Sequence, residues 1–588
     1  MRSVEQMIEE LKAAKGLEPA DLVLLHAKLV MLHTEEIIEG CLYIKNGRIV
    51  SLQERHCLPA AEQFDCQGRY VLPGLIDAHV HIEPTLLTPE ALAAVIVPLG
   101  TTTMLVDGME MGNVAGTAGV EALMQNALRE GLNYNLWLQV PSRVPSAPGL
   151  ETTGGELGLD EVKGLLEQAY SVSVGELDPS KVLSLRKDYL EKVLMAQRMG
   201  KISNGHAAGL KWDELNVYAC AGLQDDHECL EYEELLQRLR LGLRVMIREG
   251  SAERNLEALL GGVLKDRLPL DELMFCTDDK HVNDIYHEGH INYMVNKAIA
   301  LGVPPIKAIK MATLNTAKHF RMDHLIGSVA PGRWADLIVT EDLARIDPVH
   351  VFFHGRHVAE NGRMLASIAQ PDYPQELRRT IRLSTHFSGG QFKVASAAAS
   401  DSVKVRVIHL YPNQIVNFGS VETLQAVDGE IKADANRDIL KLAVVERYGR
   451  TGDVGVGFVK GFGLKSGALA CSVAHDHHNI VVVGSNDEDM ELAVRTIERH
   501  QGGFAAVDGG VVQGVLALPI GGLMSDLGAE EVIEQLEHLN EVVKMMGCRL
   551  RSPFMALSFI SLPTVPELGM TDKGLVDVKS HSIIPVLI

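Results

Sequence analysis

His79 and His81 stand one residue apart in the apolar run "VLPGLIDAHVHIEPT", residues 71–85, with Glu83 two positions further on. Alternate residues of a strand share a face, so this spacing offers two imidazole nitrogens to one divalent transition metal. The spacing alone is weak evidence, because 23 histidines in 588 residues give about one such pair by chance. The chain holds a second pair, His475 and His477 in "AHDHHN", where a further metal site, a lid and a hydrogen-bonded turn around His475, His477 and His478 are all open readings. More donors follow at the ends of short apolar segments: Glu176 in "SVSVGELD", His206 in "KISNGHAAG", His227 in "GLQDDHEC" and Asp278 in "LMFCTDD". Four imidazoles and two carboxylates are the donor set that two first-row divalent cations require, with a carboxylate shared between them.

Something must bring these residues together. Between about 76 and 320 the sequence alternates eight strand-like segments with helical ones such as "KDYLEKVLMAQRMG" and "EYEELLQRLRLG", the pattern of βα units. About 250 residues is the usual size of a (β/α)8 barrel, in which functional side chains come from the C-terminal ends of the strands and face one mouth. The donors named above sit at such ends in chain order, for the first, fourth, fifth, sixth and eighth strands. Short strands with turns occur on both sides of this region, in "GCLYIKNGRIVSLQ" and again in "VHVFFHGRHVAENGRML". The expected architecture is α/β. A TIM-like barrel over 76–320 is joined by a small β-sandwich from 1–75, which includes an N-terminal helix, and 321–370. An α+β domain follows over 371–588, where glycine-dense passages show no phosphate-binding spacing.

A net charge of −22 argues against nucleic acid or an anionic membrane as the main partner. The N-terminal "MRSVEQMIEELKAAKG" reads as a charged amphipathic helix, with Val4, Met7, Ile8 and Leu11 on one face, rather than a signal peptide. No window reaches the apolar length of a membrane span. Eight cysteines without a Cys-x-x-Cys pair suggest neither a disulfide framework nor a thiolate zinc site, so a reducing cytoplasm is expected. The small zinc deaminase fold, which needs Pro-Cys-x-x-Cys, is excluded on the same ground. A homo-oligomer is expected, as barrels of this kind are often symmetric assemblies.

The segments "PGLIDAHVHIE", "GTTTMLVD", "GELDPS", "NGHAAG", "DDHE", "MIREGSA", "CTDD" and "HEGHIN" together resemble the amidohydrolase superfamily and, within it, the adenine deaminases. The similarity continues through "GFGLKSGALA", "VAHDHHNIVVVG" and "LPIGGLMS", so it spans nearly the whole chain. It implies two divalent ions, manganese first and iron or zinc as alternatives. Adenine and water would give hypoxanthine and ammonia, by attack of a metal-bridged hydroxide on C6. It further implies that His79 and His81 bind the more buried ion and that Glu176 bridges, where many relatives carry a modified lysine. His206 and His227 would bind the second ion, and Asp278 would bind the first and handle protons. The ring nitrogen beside C6 also needs an acid, for which Glu83 and Glu249 are candidates. Arg248, Glu249 and Ser251 are candidate substrate contacts. At the second strand's end the family pattern has Asp-Pro-His-Glu, whereas this chain has "DGME", with Gly108 and Met109 in place of the proline and histidine. Alternatives to adenine deamination are hydrolysis of another purine-like or cyclic amide ring, and a non-catalytic scaffold.

Overall fold

The computed structural model describes residues 2–128, 130–396, 402–411, 417–564 and 567–588. Each of the eight apolar segments expected between 76 and 320 contains a strand: β1 (Leu75–Val80), β2 (Thr101–Asp107), β3 (Asn135–Val140), β4 (Ser171–Leu177), β5 (Ile202–Gly205), β6 (Asp225–Asp226), β7 (Arg244–Arg248) and β8 (Leu273–Cys276). Every pairing among them is parallel, with β1 to β5 in one ladder and β6 to β8 in another. Parallel strands covered by helices read as continuous apolar runs, and β1 and β2 are buried along their whole length. The ladders curl toward each other, because Ile76, Leu105, Ile202, Met246 and Met274 meet in one apolar cluster. Two seams connect them. Gln224 N donates to Ser203 O at 3.1 Å, while Asp278 N donates to His79 O and His81 N to Asp278 O, both at 3.1 Å. Asp77 pins the second seam by accepting from Thr277 N and Thr277 Oγ1, which sets Asp278 beside the two histidines.

The flanking segments join in a single nine-stranded sheet, in which Leu337–Thr340 pairs antiparallel with Tyr70–Pro73. Leu24, Leu42, Val71, Leu337 and Phe352 from distant strands share one core, so the sheet folds over itself. The helix Val4–Ala14 is capped by Ser3 and buries Glu10 and Ala13, leaving Val4, Met7, Ile8 and Leu11 exposed. All eight cysteines are free thiols.

Beyond these, a ten-stranded sheet runs from Val394–Ala395 to Val511–Ala517, with the helix Asp487–His500 packed on it through Met490, Ala493, Val494 and Ile497. This C-terminal unit shares an apolar cluster with Leu86, Leu87 and Leu92, just beyond the end of β1, which meet Phe504, Leu523 and Met524. Ser525 N also donates to Leu86 O at 2.9 Å. The strands Ala468–Cys471 and Ile480–Gly484 are antiparallel neighbours, and residues 472–479 between them form the connection that carries "AHDHHN".

Candidate metal centre

The strand-end donors converge on one oxygen. Glu176 Oε1 lies 3.0 Å from His79 Nε2, 3.4 Å from His81 Nε2 and 3.2 Å from His227 Nε2. Asp278 Oδ1 is 3.6 Å from both His79 Nε2 and His81 Nε2. His206 Nδ1 stands further out, 3.9 Å from Glu176 Oε2 and 3.4 Å from Glu228 Oε1. Three mixed groups therefore come close enough to share a cation: His79, Glu176, His227 and Asp278; His206, His227 and Glu228; and His81, Asp278 and Asp279. All are buried or nearly so.

Local sequence explains the aim of each side chain. His79 is oriented by Gln139 of β3, whose Oε1 lies 2.7 Å from Nδ1, a buried outer partner of the kind that fixes a ligating imidazole's tautomer. Gly175 precedes Glu176 because a side chain there would collide with the Asp107 carboxylate: its Cβ would lie 1.9 Å from Oδ2. Asp278 takes a left-handed backbone, φ 57°, which turns the chain at the end of β8. Asp tolerates that region better than most residues.

The charges are strongly coupled. Burial opposes ionisation of Glu176, yet Arg143 and the surrounding imidazoles hold its carboxyl well below the usual range. Burial likewise opposes charge on His81 and His227, and Glu176 overrides it in both by keeping them well above the ordinary histidine value. His206 is lowered, by burial and then by Arg143. Glu83 is fully buried; desolvation and then repulsion by Glu110 lift its carboxyl to about 7. Its Oε1 accepts from Met111 N at 3.0 Å, and its Oε2 has no hydrogen-bond partner.

An amidohydrolase family model matches residues 70–358, and a model of the adenine deaminase C-terminal domain matches residues 414–582. Adenine deaminase of Desulforamulus reducens is 56% identical over 585 residues, covering 100% of this chain and 99% of that protein. The chain belongs to the adenine deaminase family. Adenine deaminase 2 of Carboxydothermus hydrogenoformans is 41% identical over 588 residues, covering 100% of both chains. Adenine deaminase of Desulfatibacillum aliphaticivorans is 41% identical over 573 residues, covering 97% of this chain and 98% of that protein.

Within this family member, some expected site residues are engaged elsewhere. The structure does not bring Glu249 to the cluster: its carboxylate takes Lys297 Nζ at 2.6 Å and Leu256 N at 3.2 Å. Strand alternation is the reason, since Arg248 points to the cluster and its neighbour must point to the helices outside. Arg248 is not a free substrate contact either, because Nη1 meets Glu228 at 2.8 Å, Glu253 at 2.6 Å and Asp278 at 2.7 Å. Ser251 gives its hydroxyl to Asp284 and accepts from His281 N, which ties a loop rather than presenting a ligand group. His477 Nδ1 accepts from Asn479 N within its own loop, and His477 is in none of the cation-sized groups.

Glu228 and Arg143, also at the cluster, carry no expectation from sequence. Glu228 follows His227 directly, and Arg143 lies on the loop after β3, so both occupy strand-end positions where a functional reading was available. Asp476, between the C-terminal histidines, reaches Arg143. Glu110 of "DGME" is clamped by His475 Nδ1 at 3.0 Å and by His478 Nε2, and forms a further cation-sized group with His475 and Asp476. Gly108 and Met109 pack in the buried layer around it, where a Cβ at Gly108 would lie 3.2 Å from both Leu138 and Val120.

Proposed function

We propose that the chain hydrolyses adenine to hypoxanthine and ammonia with the help of two divalent cations. The observation that carries this reading is the ring of imidazoles around Glu176 Oε1, in a chain 56% identical along its whole length to a protein named adenine deaminase. The donor set fits cations: both nitrogens of His206 and His227 Nε2 are buried without hydrogen-bond partners. Each such orphan costs about 1–3 kcal/mol unless something binds it. His79, His81 and Asp278 would hold one ion, His206 and His227 the other, and Glu176 would bridge. When bound, such a pair supplies Lewis acidity that brings the pKa of water toward neutral. Manganese is the metal of this reading, and iron or zinc suit the same donors.

The protein's own residues then manage protons. In the reaction an O–C6 bond forms, ring N1 gains a proton, and the bond from C6 to the exocyclic nitrogen breaks as ammonia leaves. Asp278, with Oδ1 facing both strand-end histidines, accepts a proton from the attacking water and passes it to the departing nitrogen. Glu83 lends a proton to N1, and the second proton of water restores it, leaving the 6-oxo ring. Its buried position and its value near 7 suit a donor at neutral pH. The test is ammonia release by metal-depleted protein resupplied with manganese, using adenine, adenosine, guanine and cytosine. Adenine is expected to react; release from another base alone would overturn the substrate assignment.

The same reading takes the two parallel ladders as one closed (β/α)8 barrel over 76–320, supported by the seam bonds on both sides. The flanking sheet then comes from 1–75 and 321–370, and the C-terminal unit from 371–588. A cytoplasmic homo-oligomer acting on a small molecule completes it. Among the described residues no helix is long and apolar enough to cross a membrane.

A further inference from the structure

The two oxygens of Glu176 keep different company. Oε1 faces the imidazoles, whereas Oε2 is met by Arg143 Nη2. The other arm of the same guanidinium, Nη1, reaches Asp476 Oδ2 at 3.1 Å. All three side chains are buried. The loop that carries Arg143 is itself fastened to Glu176 and its surroundings, since Ser142 Oγ donates to Glu176 O at 2.8 Å and Lys192 Nζ donates to Ser142 O at 2.7 Å. Asp476 belongs to the C-terminal unit, and its neighbours His475 and His478 grip Glu110 at the barrel mouth.

We propose that Asp476, acting through Arg143, is a positioning residue for Glu176, so that the C-terminal unit supplies part of the support of the metal centre. The inference rests on the metal-site reading above. A carboxylate can rotate about its last bond; Arg143 meets Glu176 through Nη2 alone, and the bond from Nη1 to Asp476 holds the planar, rigid guanidinium so that Nη2 keeps its aim. Without Asp476 the guanidinium would lose the partner that fixes its orientation and would draw on Glu176 alone, with one negative charge fewer beside the cation site. Both effects weaken cation binding. Outer partners of this kind are typically worth about 10–100-fold in metal affinity.

The experiment uses the full-length, manganese-loaded protein and reads manganese retained at equilibrium against a graded chelator. Asp476→Asn removes the charge, and Arg143→Lys keeps a buried cation but loses the fork that reaches both carboxylates. Each is expected to lower affinity for both ions together by at least about tenfold, with the circular dichroism of the metal-free protein unchanged. Because the two act in series, the double variant is expected to bind no more weakly than Arg143→Lys alone. Parent affinity in Arg143→Lys, or in Asp476→Asn, overturns the inference, as do losses that multiply in the double variant. Glu176→Gln is run alongside: if it keeps both ions at parent affinity, the metal-site reading itself fails and the inference falls with it.

Discussion

Arg143 and Arg248 make a natural pair for comparison. Each holds the outer oxygen of a carboxylate whose other oxygen faces the imidazoles, Glu176 in one case and Asp278 in the other. They differ in what stands behind them. Arg248 lies on β7, and its other partners, Glu228 and Glu253, come from the end of β6 and the loop after β7. Arg143 lies on a loop and is backed by Asp476, 333 positions away in the chain. Asp278 is thus fastened within the strand array, and Glu176 is fastened across two units of the molecule. Three anions around one buried cation also leave Glu253 in excess: burial lifts its carboxyl to about 8 despite Arg248.

The largest effects come from replacing the held carboxylates. Glu176→Gln and Asp278→Asn should each lose on the order of a thousandfold in kcat, the equivalent of several kcal/mol of transition-state stabilisation. Metal analysis should separate them, with both ions lost from Glu176→Gln and the His206–His227 ion kept in Asp278→Asn. Equal metal content in the two would erase the distinction between the two sides. Glu83, held by neither arginine, gives the next effect. In the proposed mechanism it donates only when protonated, so kcat/KM should be full below about pH 7 and fall as pH rises through that value. Glu83→Gln should cost roughly a hundredfold and abolish that alkaline limb; a limb that survives the substitution assigns it to another group.

Replacing Arg248 should act on the fold before it acts on the metals. Arg248→Met strands Glu228, Glu253 and Asp278, and breaking a buried pair this way costs about 3–5 kcal/mol, readable as a lower unfolding midpoint of the metal-free protein. If Arg143→Met loses as much stability and no more metal, the two arginines do the same work after all. Smallest is Glu249→Gln, expected to leave kcat within about twofold and to cost about 1 kcal/mol of stability through Lys297. A large fall in kcat there would return Glu249 to the list of substrate contacts.

What could be read from sequence follows from which contacts are local. His79 and His81 share a face through strand alternation, and the ends of parallel strands share a mouth, so the order His79, Glu176, His206, His227, Asp278 was enough to assemble the cluster. Alternation also contained the answer for Glu249, because an inward Arg248 forces its neighbour outward. The pairings of Arg143 with Asp476 and of Glu110 with His475 and His478 were not legible, since each joins a residue near a strand end to a turn hundreds of residues away. Packing of Leu86 and Leu87 against Phe504 and Leu523 helps bring that turn to the ends of the strands. The flanking sheet lay between these cases. Its two segments had matching texture, but their register, Leu337 opposite Pro73, depends on the region folded between them.

If Asp476 supports Glu176 through Arg143 as proposed above, cation loading and docking of the C-terminal sheet are linked. Whatever the docked sheet adds to cation affinity, bound cations must return to docking, because such couplings are reciprocal. A tenfold gain in affinity corresponds to about 1.4 kcal/mol in favour of the docked arrangement. Scarcity of metal would then loosen the molecule at this junction first, at residues 474–479, while the nine-stranded sheet on the other side of the strand array stayed closed.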